Sequence, residues 1–156
     1  MTFVAGERDL ATLLRGMSPY LRPGRYVFAT VRGQVPDGVT PVVTVAEDEG
    51  LTLVVPREQA DAAGLPYDYV AAWITLRVRS ALAAVGLTAA VAAELARAGV
   101  SCNVVAGFHH DHLFVPHDRA ADAISALERL AERSARPGPP PQAAGTVEAD
   151  PQPPPP

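Results

Sequence analysis

Three imidazoles and a carboxylate stand together at His109, His110, Asp111 and His112. Such groups are good ligands for zinc or iron, so the run could carry a metal-dependent enzyme. On a strand, however, successive side chains point to opposite faces, so only His110 and His112 would share a face. No further Cys or His cluster completes a ligand set. The run therefore predicts a polar hairpin turn, with a metal-dependent enzyme built on His110, Asp111 and His112 as the alternative.

Other catalytic chemistry has weaker support in the sequence. Ser, His and Asp all occur, but no G-x-S-x-G elbow places a serine as a nucleophile. The stretch from Gly99 to Gly107 has the wrong spacing for a phosphate-binding P-loop. The single Cys102 alternates with apolar residues and is predicted to lie in the core. We therefore predict no catalytic residue, no metal and no cofactor, and expect a protein that is not an enzyme.

The elements that would position these residues follow from apolar periodicity and from turn residues. Helices are predicted at 10–17 after the capping Asp9, at 57–63 with Pro56 as the first helical residue, at 87–98, and at 120–133. Strands are predicted at 26–32, 42–46, 51–55, 72–79, 101–108 and 112–115. On the 72–79 strand, Ile74, Leu76 and Val78 should face one side, and Trp73, Thr75 and Arg77 the other.

A short internal repeat suggests how these elements combine. Residues 53–60 (LVVPREQA) align with residues 113–120 (LFVPHDRA) at an offset of sixty. Both are an apolar strand followed by a proline at a helix start. The predicted order is strand–helix–strand–strand–helix, written twice, as in a ferredoxin-like βαββαβ unit. The fold class is therefore α+β, with two such units in tandem and antiparallel sheets that carry helices on one face.

This organisation divides the chain into a degenerate unit at 1–70, a second unit at 71–134 and a Pro-rich tail at 135–156. Nine of the sixteen prolines lie between Pro137 and Pro156, so the tail is predicted to be disordered or polyproline II. A single four-stranded unit of this size is marginal by itself, which favours two units packed together and a homodimer.

Composition narrows the range of partners. The 156 residues are 48% apolar and carry a net charge of −4. All thirteen cationic residues are arginines, scattered from Arg8 to Arg136 with no basic stripe, so nucleic acid is an unexpected partner. No apolar run is long enough for a membrane span and no secretory signal is evident, which predicts a cytoplasmic protein.

Several segments resemble a small stand-alone bacterial family of tandem ACT domains. The most specific run from Trp73 to Pro116, and includes AWITL at 72–76, VGLTAAV at 85–91 and GVSCNVVAGF at 99–108. YVF at 26–28 and LTLVVPR at 51–57 are similar to the family's degenerate first half. The resemblance covers about residues 8–130. The family that the chain resembles is related in form to the amino-acid-sensing halves of aspartate kinases and to arginine sensors.

This resemblance implies a binding module that senses a small molecule, typically an amino acid, where two ACT units meet. The predicted ligand-binding residues fall in two places: Val85, Gly86, Leu87 and Thr88 in a strand–helix loop, and Ser101, Asn103 and Val104 on a strand of a neighbouring unit. Any regulated enzyme would be a separate chain. Two structural interpretations stay open: Gly86 only allows the chain to turn from a strand into a helix, and Asn103 only stabilises a contact of an edge strand. A structural subunit with a vestigial pocket is therefore a further alternative.

Overall fold

The computed structural model describes residues 6–136, which form four α-helices and one antiparallel sheet of seven strands. The helices are α1 (Leu10–Gly16), α2 (Arg57–Ala62), α3 (Leu87–Arg97) and α4 (Ala120–Ala135), the last preceded by a 3-10 turn at His117–Arg119. The strands are β1 (Pro19–Leu21), β2 (Tyr26–Val31), β3 (Val43–Glu47), β4 (Gly50–Pro56), β5 (Val70–Leu76), β6 (Asn103–Ala106) and β7 (Asp111–Pro116). The predicted tail lies outside the described residues from 137 onward, whereas Ala135 ends α4.

The strand order is β3-β4-β2-β5-β7-β6, with the antiparallel pair β2 and β5 at its centre. Tyr26 pairs with Ala71 and Val27 with Val70 across this centre. On one side β4 and β3 extend the sheet from β2, and on the other β7 and β6 extend it from β5. We call β2, β3, β4 and α2 the first half, and β5, β6, β7, α3 and α4 the second half.

Each half gains its fourth strand from outside the elements just assigned to it. Strand β1 pairs with the outer part of β5, where Leu21 lies opposite Ile74, and so adds a fourth strand to the second half. The N-terminal end of β5 does the same for β2. Strand β1 was not predicted because its three residues stand close to Pro23 and Gly24. Together the two halves form the predicted pair of ferredoxin-like units.

The core of the second half lies between β5, β7 and three helices. On β5, Ala72, Ile74 and Leu76 face the helices, as the alternation of the sequence predicted. Leu13 of α1 and its C-cap residue Met17 are buried in this same core, although α1 precedes the first half in the chain. A division of the chain at residue 70 remains a prediction. Helix α1 lies before this position in the chain but packs in the core of the second half.

The core of the first half is smaller. It contains Val27, Leu53, Val55 and Ala60, and it is covered by the six-residue α2 and by Val35 and Val39 of the loop between β2 and β3. Residues 32–42 connect β2 to β3 without a helix, because two glycines and two prolines interrupt any helical run there. The predicted strand–helix–strand–strand–helix order is therefore right for the second half and wrong for the first.

The repeat at residues 53–60 and 113–120 has a close structural counterpart. Pro56 and Pro116 each end a strand with nearly the same backbone angles, φ −53° and ψ 133° against φ −51° and ψ 130°. Pro56 is the N-cap of α2 and not its first helical residue, which corrects the prediction. Ala60 and Ala120, one turn later, are both buried. The two copies therefore leave the sheet in the same way.

Two strand lengths also differ from the prediction. Strand β5 ends at Leu76 and not at Arg79, because the amide of Arg77 donates to Ser18 O while that of Val78 turns back to Leu76 O. Strand β6 is confined to four residues within the predicted 101–108. Within residues 6–136, no helix combines the length and the apolar character that crossing a bilayer requires.

The opposite face of the sheet carries none of the described helices. Its centre is Phe114, which is fully buried. Its ring stacks on Trp73 at 5.9 Å and meets Tyr26 and Phe28 edge-on at 6.4 Å and 5.6 Å. These aromatic side chains cover one another, so a compact apolar cluster forms without a covering helix. We call this side the open face.

Candidate functional site

The His109–His112 run forms the end of the β6–β7 hairpin. The amide of Gly107 donates to His110 O at 2.9 Å and closes the turn. Asp111 is buried and accepts from Ser80 Oγ at 3.2 Å, while His110 Nδ1 lies 3.3 Å from Val78 O. Nowhere in residues 6–136 do three His, Cys, Asp or Glu side chains group closely enough to hold a metal ion.

His112 takes part in a hydrogen-bonded cluster on the open face. Trp73 Nε1 donates to His112 Nδ1 at 3.0 Å, so this nitrogen carries a lone pair and the neutral ring keeps its proton on Nε2. Thr75 Oγ1 lies 3.2 Å from the same Nδ1 and accepts from Arg22 Nε at 3.0 Å. The Arg22 guanidinium also lies 4.6 Å from the Trp73 ring centre, a cation–π contact.

The surroundings keep His112 neutral. Burial lowers the pKa of His112, and the nearby charges of Arg22 and His110 lower it further against the opposing effect of Asp111. A protonated imidazole would have to donate from Nδ1, which would break the bond from Trp73. The geometry therefore gives His112 a structural part in orienting Trp73.

Gly86 stands at the start of α3, as the sequence predicted for a strand–helix loop. It is the N-cap, with φ 101°, a left-handed conformation that favours glycine. No side chain caps the helix, so the first backbone amides of α3 have no intrahelical or side-chain acceptor. A Cβ at Gly86 would come within 3.0 Å of Leu10 Cδ2 in α1. Both the backbone angle and the packing therefore require glycine here.

The other predicted loop residues divide between surface and core. Val85 is 84% exposed and Thr88 is also exposed. Leu87 is only 3% exposed and packs in the core of the second half, where Val104 also lies against the cluster. Leu87 can thus offer a ligand its backbone amide but not its side chain.

Asn103 is exposed on the side of β6 that faces away from the helices, as predicted, whereas the exposed Ser101 lies two residues before the strand begins. Both lie beside the phenol of Tyr69, a residue that the sequence analysis did not select. Burial raises the pKa of Tyr69, and the side chains of Ser101 and Asn103 partly offset this effect. The buried Tyr69 Oη nevertheless makes no hydrogen bond of normal length to either side chain, and it has no other partner among the described residues. These three side chains therefore form a polar group at the edge of the open face.

The two predicted clusters do not meet within one chain. Gly86 precedes the first residue of α3, whereas Ser101 follows its end. The eleven residues of α3 separate them by about 16 Å. A single ligand could therefore contact both clusters only if they came from different chains.

Cys102 is partly buried against the core of the second half, as predicted. Burial raises the pKa of its thiol to about 11. A thiol with this pKa stays protonated near neutral pH and is a poor nucleophile. The surroundings of Cys102 therefore suit a packing role.

Comparison with known proteins shows which family shares this architecture. ACT-domain profiles match residues 5–72 and residues 69–129, which together span nearly all the described chain. A Vibrio cholerae protein of unknown function, described as a possible transport protein, is 48% identical, with a TM-score of 0.72 over 78% of this chain and 95% of that one. No curated protein matches the chain significantly.

Two more distant structures share the fold. A protein from Agrobacterium tumefaciens is 22% identical, with a TM-score of 0.55 over 74% of this chain and 89% of that one. The ligand-free regulatory subunit of aspartate kinase from Thermus thermophilus is 11% identical, with a TM-score of 0.55 over 72% of this chain and 95% of that one. ACT domains are typically ligand-binding regulatory domains. The chain belongs to the ACT-domain family, with two ACT domains in tandem.

Proposed function

We propose that this protein is a regulatory sensor and not an enzyme, and that it binds an amino acid or similar small metabolite between ACT units. Its two ACT domains support the ligand-binding part of this proposal. Cys102 is partly buried with a raised pKa and packs against the core, and His112 accepts a hydrogen bond from Trp73. Neither is set up as a nucleophile or a metal ligand.

The observation that carries the proposal is the start of α3. Gly86 adopts φ 101° with no side-chain cap, and the flanking Val85 and Thr88 are exposed. The amide donors and the helix dipole at such an end suit the carboxylate of an amino acid. We propose that Val85–Thr88 bind the ligand carboxylate through backbone amides, those of Leu87 and Thr88 included.

The second part of the proposed site comes from another chain. Ser101, Asn103 and Val104 lie at the far end of α3, so the ligand that contacts Gly86 in one chain would meet these residues in a neighbour. Strand β6 is a short edge strand that carries the exposed Asn103, which suits contact with a second chain. We therefore propose a cytoplasmic homodimer whose ligand changes the packing of the two chains, with a separate enzyme as the regulated partner.

A thermal-shift screen of the twenty amino acids and common nucleotides tests this function. A ligand present at 100 times its dissociation constant should stabilise the fold by about 2.7 kcal/mol. Absence of any shift across the panel would favour a structural subunit with a vestigial pocket.

Two variants then test the site. Gly86→Val should block the approach of the carboxylate, and Asn103→Ala should weaken binding by about 1–3 kcal/mol. Gly33→Val is the matched control for backbone strain, because Gly33 has φ 100° but no atom within 4 Å of an added Cβ. Sedimentation should show a dimer for all three. If Gly86→Val and Asn103→Ala bind the ligand as tightly as the parent, the proposed site is wrong.

A further inference from the structure

A cluster of arginines lies on the second half, where α3 packs beside α4. Arg97 is the last residue of α3, and Arg129 and Arg133 stand about one turn apart on α4. All three line a single cavity of about 490 Å³, together with Glu94 and Ala98. We call this space the arginine cavity.

The arginine cavity carries a net positive charge. Its lining has three cationic side chains and one anionic side chain, Glu94, so its formal charge is 3 − 1 = +2. The chain as a whole carries a net charge of −4. The positive cavity therefore differs in sign from the average of the protein, and its field favours an anionic ligand over a cationic one.

Glu94 fixes the positions of two of the three arginines. Its side chain is only 8% exposed, and its Oε2 accepts from Arg97 Nη2 at 2.6 Å and from Arg133 Nη2 at 2.7 Å. A guanidinium has five N–H donors, so each arginine keeps donors that Glu94 does not use. Because the buried carboxylate already orders both side chains, an anion that binds them costs less conformational entropy.

Arg129 supplies the third cation and is not neutralised by the chain. Its guanidinium belongs to none of the ion pairs found within residues 6–136. It stands four positions before Arg133 on the same helix, where two like charges repel each other. An anion held between the two side chains would relieve this repulsion.

The carboxyl end of α3 lies beside the cavity and would by itself repel an anion. Ala98 is the C-cap of this helix, and the last carbonyl groups of a helix carry partial negative charge. Arg119 donates to Ala98 O at 3.1 Å and to Gly99 O at 3.2 Å. A fourth arginine therefore satisfies these two carbonyl groups, so that they make no demand on the three arginines of the cavity.

We propose that the arginine cavity binds the phosphate group of a small phosphorylated metabolite. A phosphate monoester carries a charge of about −1.5 to −2 near pH 7, which complements the lining. Guanidinium groups bind phosphate oxygens through paired, charge-assisted hydrogen bonds. The volume of the cavity lies within the range of small-molecule sites, about 300–1,000 Å³, so there is room for more than the phosphate.

This site goes beyond the proposed sensing function. It takes a different class of ligand and lies within a single chain. It does not need the residues that line the site proposed between two chains.

Calorimetric titration of the full chain with inorganic pyrophosphate and with ADP, in a buffer free of phosphate, tests the arginine cavity. Both compounds should bind, whereas adenosine, which has no phosphate group, should bind at least tenfold more weakly than ADP. Equal affinities for pyrophosphate and ADP would mean that the cavity recognises phosphate alone. A higher affinity for ADP would mean that the nucleoside adds contacts, and either result supports the site.

Arginine variants connect this binding to the cavity. Arg129→Gln and Arg97→Gln should each weaken the binding of pyrophosphate about tenfold or more, because each removes a charge-assisted hydrogen-bond donor. Arg129→Gln breaks no ion pair, so its midpoint of urea unfolding should equal that of the parent, and Arg97→Gln leaves Arg133 on Glu94. Arg32→Gln is the control at an exposed arginine outside the cavity.

The proposal is overturned if neither pyrophosphate nor ADP binds, or if Arg129→Gln and Arg97→Gln bind them as tightly as Arg32→Gln. Binding lost in Arg129→Gln but retained in Asn103→Ala would support the arginine cavity. The reverse would assign the ligand to the site proposed between two chains and overturn the cavity. Amino-acid binding should be unchanged in Arg129→Gln, so failure of the cavity leaves the sensing function to its own screen.

Discussion

The two halves share one strand order but are stabilised differently. In the second half, α1, α3 and α4 cover a large core that includes Leu13, Leu95 and Leu127. In the first half, the six-residue α2 and a loop at residues 32–42 cover four fully buried residues. Because apolar burial is the main favourable term in folding, most of the stability should reside in the second half. The smaller half remains in place because β2 pairs directly with β5 and its aromatic side chains pack on Phe114.

The largest expected effect concerns α1 and tests which half it stabilises. Leu13 is fully buried among residues of the second half, so Leu13→Ala should lower the free energy of unfolding by about 2–5 kcal/mol. Urea denaturation measures this loss. Leu82→Ala, at a leucine that is 67% exposed, is the control and should have little effect. A loss at Leu13 no greater than at Leu82 would separate α1 from the second-half core.

The second-largest effect is expected from the ion pairs, whose removal should cost more unfolding free energy in the second half than in the first. Glu94 is buried and accepts from Arg97 at 2.6 Å and Arg133 at 2.7 Å, which links α3 to α4. Glu94→Gln should cost about 1–3 kcal/mol of unfolding free energy. In the first half, Asp61 is 55% exposed and its distance to Arg57 is longer, so Asp61→Asn should cost much less. Equal losses in chemical denaturation would contradict the comparison.

The same carboxylate should give the second half an acid-sensitive component. Hydrogen bonds from Arg97 and Arg133 lower the pKa of Glu94 below its ordinary 4.5. The contribution to stability is therefore complete above pH 4.5 and is lost as the pH falls through the lowered pKa. Denaturation of the parent and of Glu94→Gln should converge at acid pH, whereas a constant difference between them would count against this linkage.

A smaller pH effect is expected at the junction of the halves. The pKa of His112 is lowered from 6.5 in the folded state, so its contribution is complete above pH 6.5 and declines as the pH falls below it. Protonation should also break the bond from Trp73, the one tryptophan of the chain, and change its fluorescence. The pH-dependent change in Trp73 fluorescence should therefore be a single transition, which His112→Phe should abolish and His109→Gln should retain. Persistence of the transition in His112→Phe would assign it to another group.

The smallest effect is expected from the Pro-rich tail. Its composition offers no apolar stripe to bury, so removal of residues 137–156 should change the unfolding free energy by less than about 0.5 kcal/mol. A thermal melt of the full chain against the truncated chain measures the difference. A large loss would show that the tail packs on one of the two halves.

Local patterns predicted the second half well because each of its elements satisfies its own periodicity. The alternation of β5 assigned Ile74 and Leu76 to the core, and the apolar stripe of α4 was recognised within a few residues. The first half was predicted less well because its covering segment is a loop, and no periodicity identifies a loop that packs. Strand β1 was missed for a different reason: its three residues are too few to show an alternation, and they stand close to Pro23 and Gly24.

The candidate sites show the same limit. The sequence identified Gly86 as the residue of a strand–helix loop, and Ser101 and Asn103 as residues on the side away from the helices. The helix predicted at 87–98 already separated these two clusters, but nothing in the sequence indicated that Tyr69 lies beside Ser101. Distances across a sheet depend on strand order, which local spacing does not encode.

The sequence by itself determined the α+β class, the two-unit organisation and the side of the sheet on which most residues lie. These properties follow from the period of two in strands and from turn residues, both of which act over a few positions. The tertiary structure alone decided that α1 packs in the second half, that β1 adds a strand to the second half, and that the start of β5 adds one to the first. These properties arise from contacts between residues far apart in the chain, whose free energies become visible only when the complete sheet is formed.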